Sequence, residues 1–139
     1  MFALTLSQVA TIVSLFVGTP VTIECDKPWP YPNASGYAYL REPVVHIRPD
    51  HCYALRHVRQ SHLVPVAWAI STLSHELRHA IDGVDDESVA QCLGLANVHD
   101  LALALGASER RARRLERTAI EMAKQLPPLY NDPNCAAYL

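Results

Sequence analysis

The 139-residue chain lacks several features that would assign it to a common class of protein. Neither sign of charge dominates, because twelve Lys and Arg face fourteen Asp and Glu, and this balance argues against a nucleic-acid-binding protein. There is no internal repeat and no low-complexity segment, and five glycines do not make a collagen-like chain. Half of the residues are apolar and 19% are charged, so we expect a single folded domain over residues 1–139.

The sequence also lacks an apolar run long enough to span a membrane. The longest candidate, residues 4–17, contains several Ser and Thr and ends before Gly18 and Pro20, short of the roughly 20 residues that a span requires. No Lys or Arg precedes this run and no clear small-residue cleavage site follows it, as a signal peptide would require. We therefore predict an N-terminal helix over residues 3–17 and a cytoplasmic location by default.

No two of the four cysteines form a C-x-x-C pair, which argues against a zinc ribbon or a thioredoxin-like motif. Four cysteines permit three pairings, and the sequence alone does not choose between them. One interpretation is one or two disulfides, pairing Cys25 with Cys52 and Cys92 with Cys135, and the other is four buried thiols in a reducing cytoplasm. Paired cysteines would indicate an extracytoplasmic location.

The patterns that are present predict short strands first and long helices afterwards. Strands are expected at residues 21–25, 37–40 and 44–48, with a proline-rich loop over residues 26–36 between the first two. Helices are expected at residues 51–59, 65–82, 87–105 and 108–125. This order favours an α+β fold over an alternating α/β fold.

The most informative segment is His-Glu-x-x-His, formed by His75, Glu76 and His79 within the predicted 65–82 helix. Residues four apart lie on one face of a helix, so the two imidazoles can bind one ion, and zinc favours imidazole nitrogen. Glu76 is rotated by about 100° from His75 around the helix. Its carboxylate is therefore expected beside the metal, where it can take a proton from a zinc-bound water.

A catalytic zinc site needs a third protein ligand and an open position, and acidic residues follow the predicted end of this helix. Here the sequence resembles the gluzincin branch of the zincin metallopeptidases, in which a glutamate on the next helix, often within Glu-x-x-Ala-Asp, completes the site. Residues 87–91 match this pattern except at Gln91, which can still form a hydrogen bond to a ligating histidine. The resemblance implies that Glu87 is the third ligand, with Asp86 and Asp85 as alternatives.

The resemblance covers about residues 37–95 and implies a minimal zincin-like domain of the α+β class. Its expected parts are a small antiparallel sheet, an active-site helix and two further C-terminal helices, with residues 44–48 as an edge strand that pairs with an extended substrate. It implies Zn²⁺ as the cofactor, a peptide or protein as the substrate and hydrolysis of a peptide bond, with Glu76 as the general base. The alternative is a catalytically inactive zinc-binding module that mediates protein interactions.

Three aromatic residues complete the predictions. Tyr53 and Tyr130 are candidate donors of a hydrogen bond to the oxyanion that forms during peptide cleavage, although nothing in the sequence places either near the zinc. Trp68 lies seven residues before His75, on nearly the same face of the helix, and we predict that it packs in the core.

Overall fold

A small sheet packs against a set of helices in the computed structural model, which describes residues 3–131 and residue 135. The strands are β1 (Thr22–Glu24), β2 (Gly36–Ala38) and β3 (Val44–Ile47). The helices are α1 (Leu6–Val17), α2 (Pro49–Arg56), α3 (Leu63–Ala80), α4 (Glu87–Ala96), α5 (Val98–Ala104) and α6 (Glu109–Ala123), and a 3₁₀ turn follows at Pro128–Tyr130. This arrangement confirms the predicted α+β class.

The sheet is mixed, which corrects the prediction of an antiparallel sheet. β3 lies in the centre, parallel to β1 and antiparallel to β2, with Ile23 opposite Val45 and Tyr37 opposite His46. The loop over residues 25–35 carries the chain past the central position to the far edge, and a short turn then returns it to fill the centre. The prediction that residues 44–48 form the edge strand is therefore wrong, because β2 occupies the edge.

The N-terminal helix packs on the rest of the fold, as predicted. Thr5 and Gln8 form a reciprocal capping box at the start of α1, and the helix ends at Gly18 in the left-handed conformation. Val9 and Val13 are fully buried in the core. Over residues 3–131, no helix has the length and apolar character that a membrane crossing requires.

Three helices follow α3 rather than the two predicted, because the expected 87–105 helix is interrupted at Asn97. The Asn97 side chain donates a hydrogen bond to the Leu93 carbonyl, and its backbone N–H bonds to Gly94. These bonds tighten the last turn of α4, and α5 then begins at Val98. The interruption leaves α4 as a short helix that packs along α3.

All four cysteines are paired, in the arrangement that the sequence allowed. The Cys25–Cys52 disulfide joins the chain just after β1 to α2, and the Cys92–Cys135 disulfide joins α4 to the chain that follows the 3₁₀ turn. The alternative of four buried thiols is wrong. Disulfides form and persist in oxidising compartments, so the pairing indicates an extracytoplasmic location rather than the cytoplasmic default.

α4 packs closely against α3. The Ser74 hydroxyl donates a hydrogen bond of 2.7 Å to the Gly94 carbonyl. A Cβ atom at Gly94 would lie 3.0 Å from the His75 backbone nitrogen and 3.1 Å from its Cα. Glycine at this position therefore lets α4 lie directly against the turn of α3 that carries His75.

We expect Gly94→Ala to destabilise the protein, because the added methyl group must push the two helix backbones apart. The expected loss in the free energy of unfolding is about 1–3 kcal/mol, measured by urea denaturation. Alanine normally stabilises a helix relative to glycine by about 1 kcal/mol. A variant as stable as the wild type, or more stable, would therefore contradict the close packing of α4 on α3.

Candidate metal centre

Three side chains from two helices meet beside the C-terminal half of α3. The donor atoms of His75, His79 and Glu87 all lie within 4.8 Å of one another. The two Nε2 atoms are 3.1 Å apart, and the Glu87 oxygens lie 2.5 Å from His79 Nε2 and 3.5 Å from His75 Nε2. A tetrahedral zinc with bonds of about 2.0–2.1 Å has donors about 3.3 Å apart. The group therefore has the dimensions of a metal site and could hold a metal ion.

The far nitrogen of each imidazole is held by a hydrogen-bond acceptor. His75 Nδ1 donates to Gln91 Oε1 at 2.8 Å, and His79 Nδ1 donates to the Val84 carbonyl at 2.5 Å. With Nδ1 of each ring held in this way, both Nε2 atoms face the same region, where a metal ion would bind their lone pairs once no proton occupies them. Gln91 thus forms the hydrogen bond that the sequence allowed for it.

Glu87 reaches the histidines because the loop between α3 and α4 turns sharply. Gly83 adopts a left-handed conformation with φ of 66°, and Val84 N–H donates to the Arg78 carbonyl at 3.1 Å. Asp86 then caps α4 by accepting hydrogen bonds from the backbone N–H groups of residues 88 and 89. Of the three acidic candidates, the structure brings Glu87 to the histidines, uses Asp86 as a helix cap and leaves Asp85 exposed.

Glu76 lies beside this group rather than within it. Its Oε1 atom is 3.9 Å from His75 Nε2, and its side chain is buried. Burial raises the pKa of Glu76, while the nearby imidazoles oppose that shift. A carboxylate whose pKa is raised towards neutrality is suited to accepting a proton and returning it. The position matches the one expected for Glu76 from the motif.

Glu87 and His79 stabilise each other's charged forms. The hydrogen bond to Glu87, together with the Val84 carbonyl, raises the pKa of His79 to about 9. Hydrogen bonds from His75 and His79 hold the pKa of Glu87 far below its ordinary value. A proton on His79 Nε2 therefore competes with a metal ion for the same lone pair, so metal binding at neutral pH releases a proton.

The group lines a cavity of about 870 Å³ between β2 and the C-terminal part of α6, a size typical of ligand sites. Residues 33–40 line one side and residues 119–127 the other, with α3 and α4 between them. None of the described lining residues is Lys or Arg, and the acidic ones are Glu76, Asp85 and Glu87. Among the described lining residues, the carboxylates therefore face no Lys or Arg, and the protonated His79 supplies a positive charge.

Among the described residues, four aromatic side chains line the cavity, and the sequence placed none of them there: Tyr37, Tyr39, Trp68 and Tyr130. Trp68 is 42% exposed on the cavity wall, so the prediction that it packs in the core is wrong. The Tyr130 ring lies 6.0 Å from the His75 ring, and burial together with the nearby carboxylates raises the pKa of Tyr130. Tyr53 instead stacks on His57 on α2, outside the cavity lining.

Comparisons with protein-family models, with curated proteins and with solved structures find no match for this chain. The resemblance to gluzincins therefore stays a prediction that rests on the motif residues. Those residues are His75, Glu76, His79 and Glu87, which the fold brings to one cavity.

We expect the protein to bind one divalent metal ion per chain, and His75→Ala or His79→Ala to abolish this binding. Glu87→Ala should weaken it sharply, whereas Asp86→Ala should retain it because Asp86 caps α4 instead of facing the histidines. Isothermal titration with Zn²⁺ and Co²⁺ measures both stoichiometry and affinity. Loss of binding in Asp86→Ala with retention in Glu87→Ala would show that the ligand set is wrong.

The affinity for the metal should also depend on pH. Since His79 must lose its proton, we expect the affinity to fall about tenfold for each pH unit below about 9. Titrations at several pH values, in buffers of different ionisation enthalpy, report the number of protons released. An affinity that does not change between pH 6 and pH 8 would contradict the raised pKa of His79.

Proposed function

We propose that the protein is a zinc-dependent metallopeptidase that hydrolyses peptide bonds, with His75, His79 and Glu87 as metal ligands and Glu76 as general base. The observation that carries this proposal is that the four side chains occupy two different kinds of position. Three donors converge on one point, and a separate buried carboxylate lies beside them in an open cavity. A structural zinc site is instead closed by four protein ligands.

Two observations favour zinc as the metal: the set of donor atoms and the presence of disulfides. Two imidazoles four residues apart on a helix, followed by a carboxylate, form a common catalytic zinc set, although Fe(II) binds a similar set. Zinc has no redox chemistry, so it is compatible with an oxidising compartment in which the two disulfides persist. We therefore propose a zinc enzyme that acts outside the cytoplasm.

The positions of the side chains support a mechanism for this proposed reaction. A bound zinc ion supplies Lewis acidity, which polarises the scissile carbonyl and makes the attacking water more acidic. The Glu76 carboxylate accepts the proton of that water and returns it to the nitrogen of the leaving amine. Gln91 and the Val84 carbonyl keep the two imidazoles in place. Tyr130, close to His75, is the side chain best placed to donate a hydrogen bond to the developing oxyanion.

An extended peptide is the substrate that the cavity supports. Among the described residues, β2 pairs only with β3, so its other edge is available, and residues of β2 line the cavity. A substrate strand can therefore pair with β2 beside the metal group. The described lining residues include no Lys or Arg that could bind a free terminal carboxylate, which favours cleavage within a chain over removal of C-terminal residues.

We expect Glu76→Gln to abolish peptide cleavage, with a loss of at least about 100-fold, while zinc binding is retained. The glutamine keeps the size of the side chain but cannot accept the proton. Mass spectrometry of a digested peptide library measures the cleavage, and metal analysis of the same sample measures the zinc. Glu121→Gln, at a side chain 69% exposed on α6 and outside the cavity lining, is the matched control and should behave as the wild type.

Two results would contradict the proposed function. If Glu76→Gln cleaves peptides as fast as the wild type, then Glu76 is not the general base. If the wild type binds one zinc ion and cleaves no peptide in a broad library, the protein is instead the inactive zinc-binding module that the sequence left open.

A further inference from the structure

Trp68 occupies a position on α3 that the chemistry described above does not use. It precedes His75 by two helical turns, about 10 Å along the axis, and is offset from it by only about 20° around the helix. The side chain is 42% exposed and lines the cavity, although most of the residues on α3 from Val66 to Ala80 are buried. A large aromatic side chain kept exposed in a cavity is typical of a binding surface.

The indole ring is held in place by two residues at the start of α2. The Arg48 guanidinium lies over the ring at 5.1 Å from its centroid, and the buried His51 ring lies at 5.0 Å. Arg48 is fixed in turn by Asp50, with hydrogen bonds of 2.6 and 3.0 Å. These contacts restrict the ring before any ligand arrives, which lowers the entropic cost of binding to it.

The charges around the ring favour an uncharged partner. Arg48 already lies over the ring, so a cationic side chain there would meet a like charge. An anionic side chain would gain little from Arg48, because the guanidinium already donates hydrogen bonds to the carboxylate of Asp50. A large apolar side chain gains from contact with the indole without either cost.

The direction of β2 places this ring on the path of an extended peptide. Gly36, at the start of β2, lies against Thr72 and Glu76, while the backbone N–H of Arg41 donates to the His79 carbonyl at 3.3 Å. The chain from Gly36 to Arg41 therefore runs along α3 in the same direction as the helix. A substrate antiparallel to β2 runs the opposite way, so its C-terminal part extends towards Trp68.

We propose that Trp68 forms a subsite for a large apolar side chain of the substrate, about three residues to the C-terminal side of the scissile bond. The distance follows from the rise of about 3.3 Å per residue in an extended chain, which covers 10 Å in three residues. The inference rests on the proposed peptidase function and adds the class of substrate: uncharged, extended segments with a Phe, Leu or similar residue at that position.

The test compares two peptides that differ only at this position, with Phe or Ala three residues after a bond that the wild type is shown to cleave. Trp68→Ala should lower kcat/KM for the Phe peptide by about 10- to 100-fold, through KM, and leave the Ala peptide nearly unchanged. Trp68→Leu retains an apolar side chain, so its kcat/KM for the Phe peptide should fall less. It also keeps the test valid if Trp68→Ala does not fold. Tyr53→Ala, at an aromatic side chain 59% exposed outside the cavity lining, is the control and should alter neither peptide.

A binding measurement separates this inference from the peptidase proposal. Zinc-loaded Glu76→Gln should bind the Phe peptide more tightly than the Ala peptide in isothermal titration, and adding Trp68→Ala should remove that difference. If Trp68→Ala weakens both peptides equally, or neither, the subsite is wrong even where cleavage by the wild type supports the peptidase. If the Trp68-dependent difference in binding appears but the wild type cleaves nothing, the subsite is supported and the peptidase proposal fails.

Discussion

The packing of α4 against α3 is the contact on which the geometry of the candidate metal centre depends. Glu87, Gln91 and Gly94 recur at helical spacing on one face of α4, and each contacts the motif turn of α3. Gly94 sets the distance between the backbones, Gln91 orients the His75 ring, and Glu87 contributes the acidic donor. One helix interface thus orients an imidazole and supplies a carboxylate, so a change in its spacing alters all three contacts together.

The local parts of this site can be predicted from the sequence, because their signals lie within one or two turns of chain. The shared helix face of His75 and His79 follows from helical periodicity. The approach of Glu87 is implied by the resemblance to gluzincins, with Asp86 and Asp85 as alternatives. The edge position of β2 and the exposure of Trp68 do not, because they depend on which segments meet across the fold. A short strand carries no local sign of its neighbours, and a tryptophan two turns from a motif has the same pattern whether it is buried or exposed.

Tyr130 illustrates the same limit at longer range. It belongs to a proline-containing segment whose composition predicts only a loop or tail, yet its ring lies 6.0 Å from that of His75. The 3₁₀ turn that carries Tyr130 packs on α4, and the Cys92–Cys135 disulfide ties the following chain to the same helix. The sequence allowed this pairing of cysteines. The pairing alone does not predict where Tyr130 lies, because that position also depends on the fold of the chain between the two cysteines. The Cys92–Cys135 disulfide therefore helps to hold this wall of the cavity in place.

The proposed catalytic site and the proposed subsite both draw on side chains of α3. Trp68, His75, Glu76 and His79 are carried by a single helix, whose inner face is fully buried at Ile70, Leu73 and Leu77. A buried helix is a rigid spacer, so the distance between the aromatic ring and the metal group varies little as loops move. Recognition of a side chain at Trp68 would then set the register of an extended substrate, and with it the bond presented to Glu76. Selectivity of this kind requires no moving lid, because the helix fixes both points before the substrate binds.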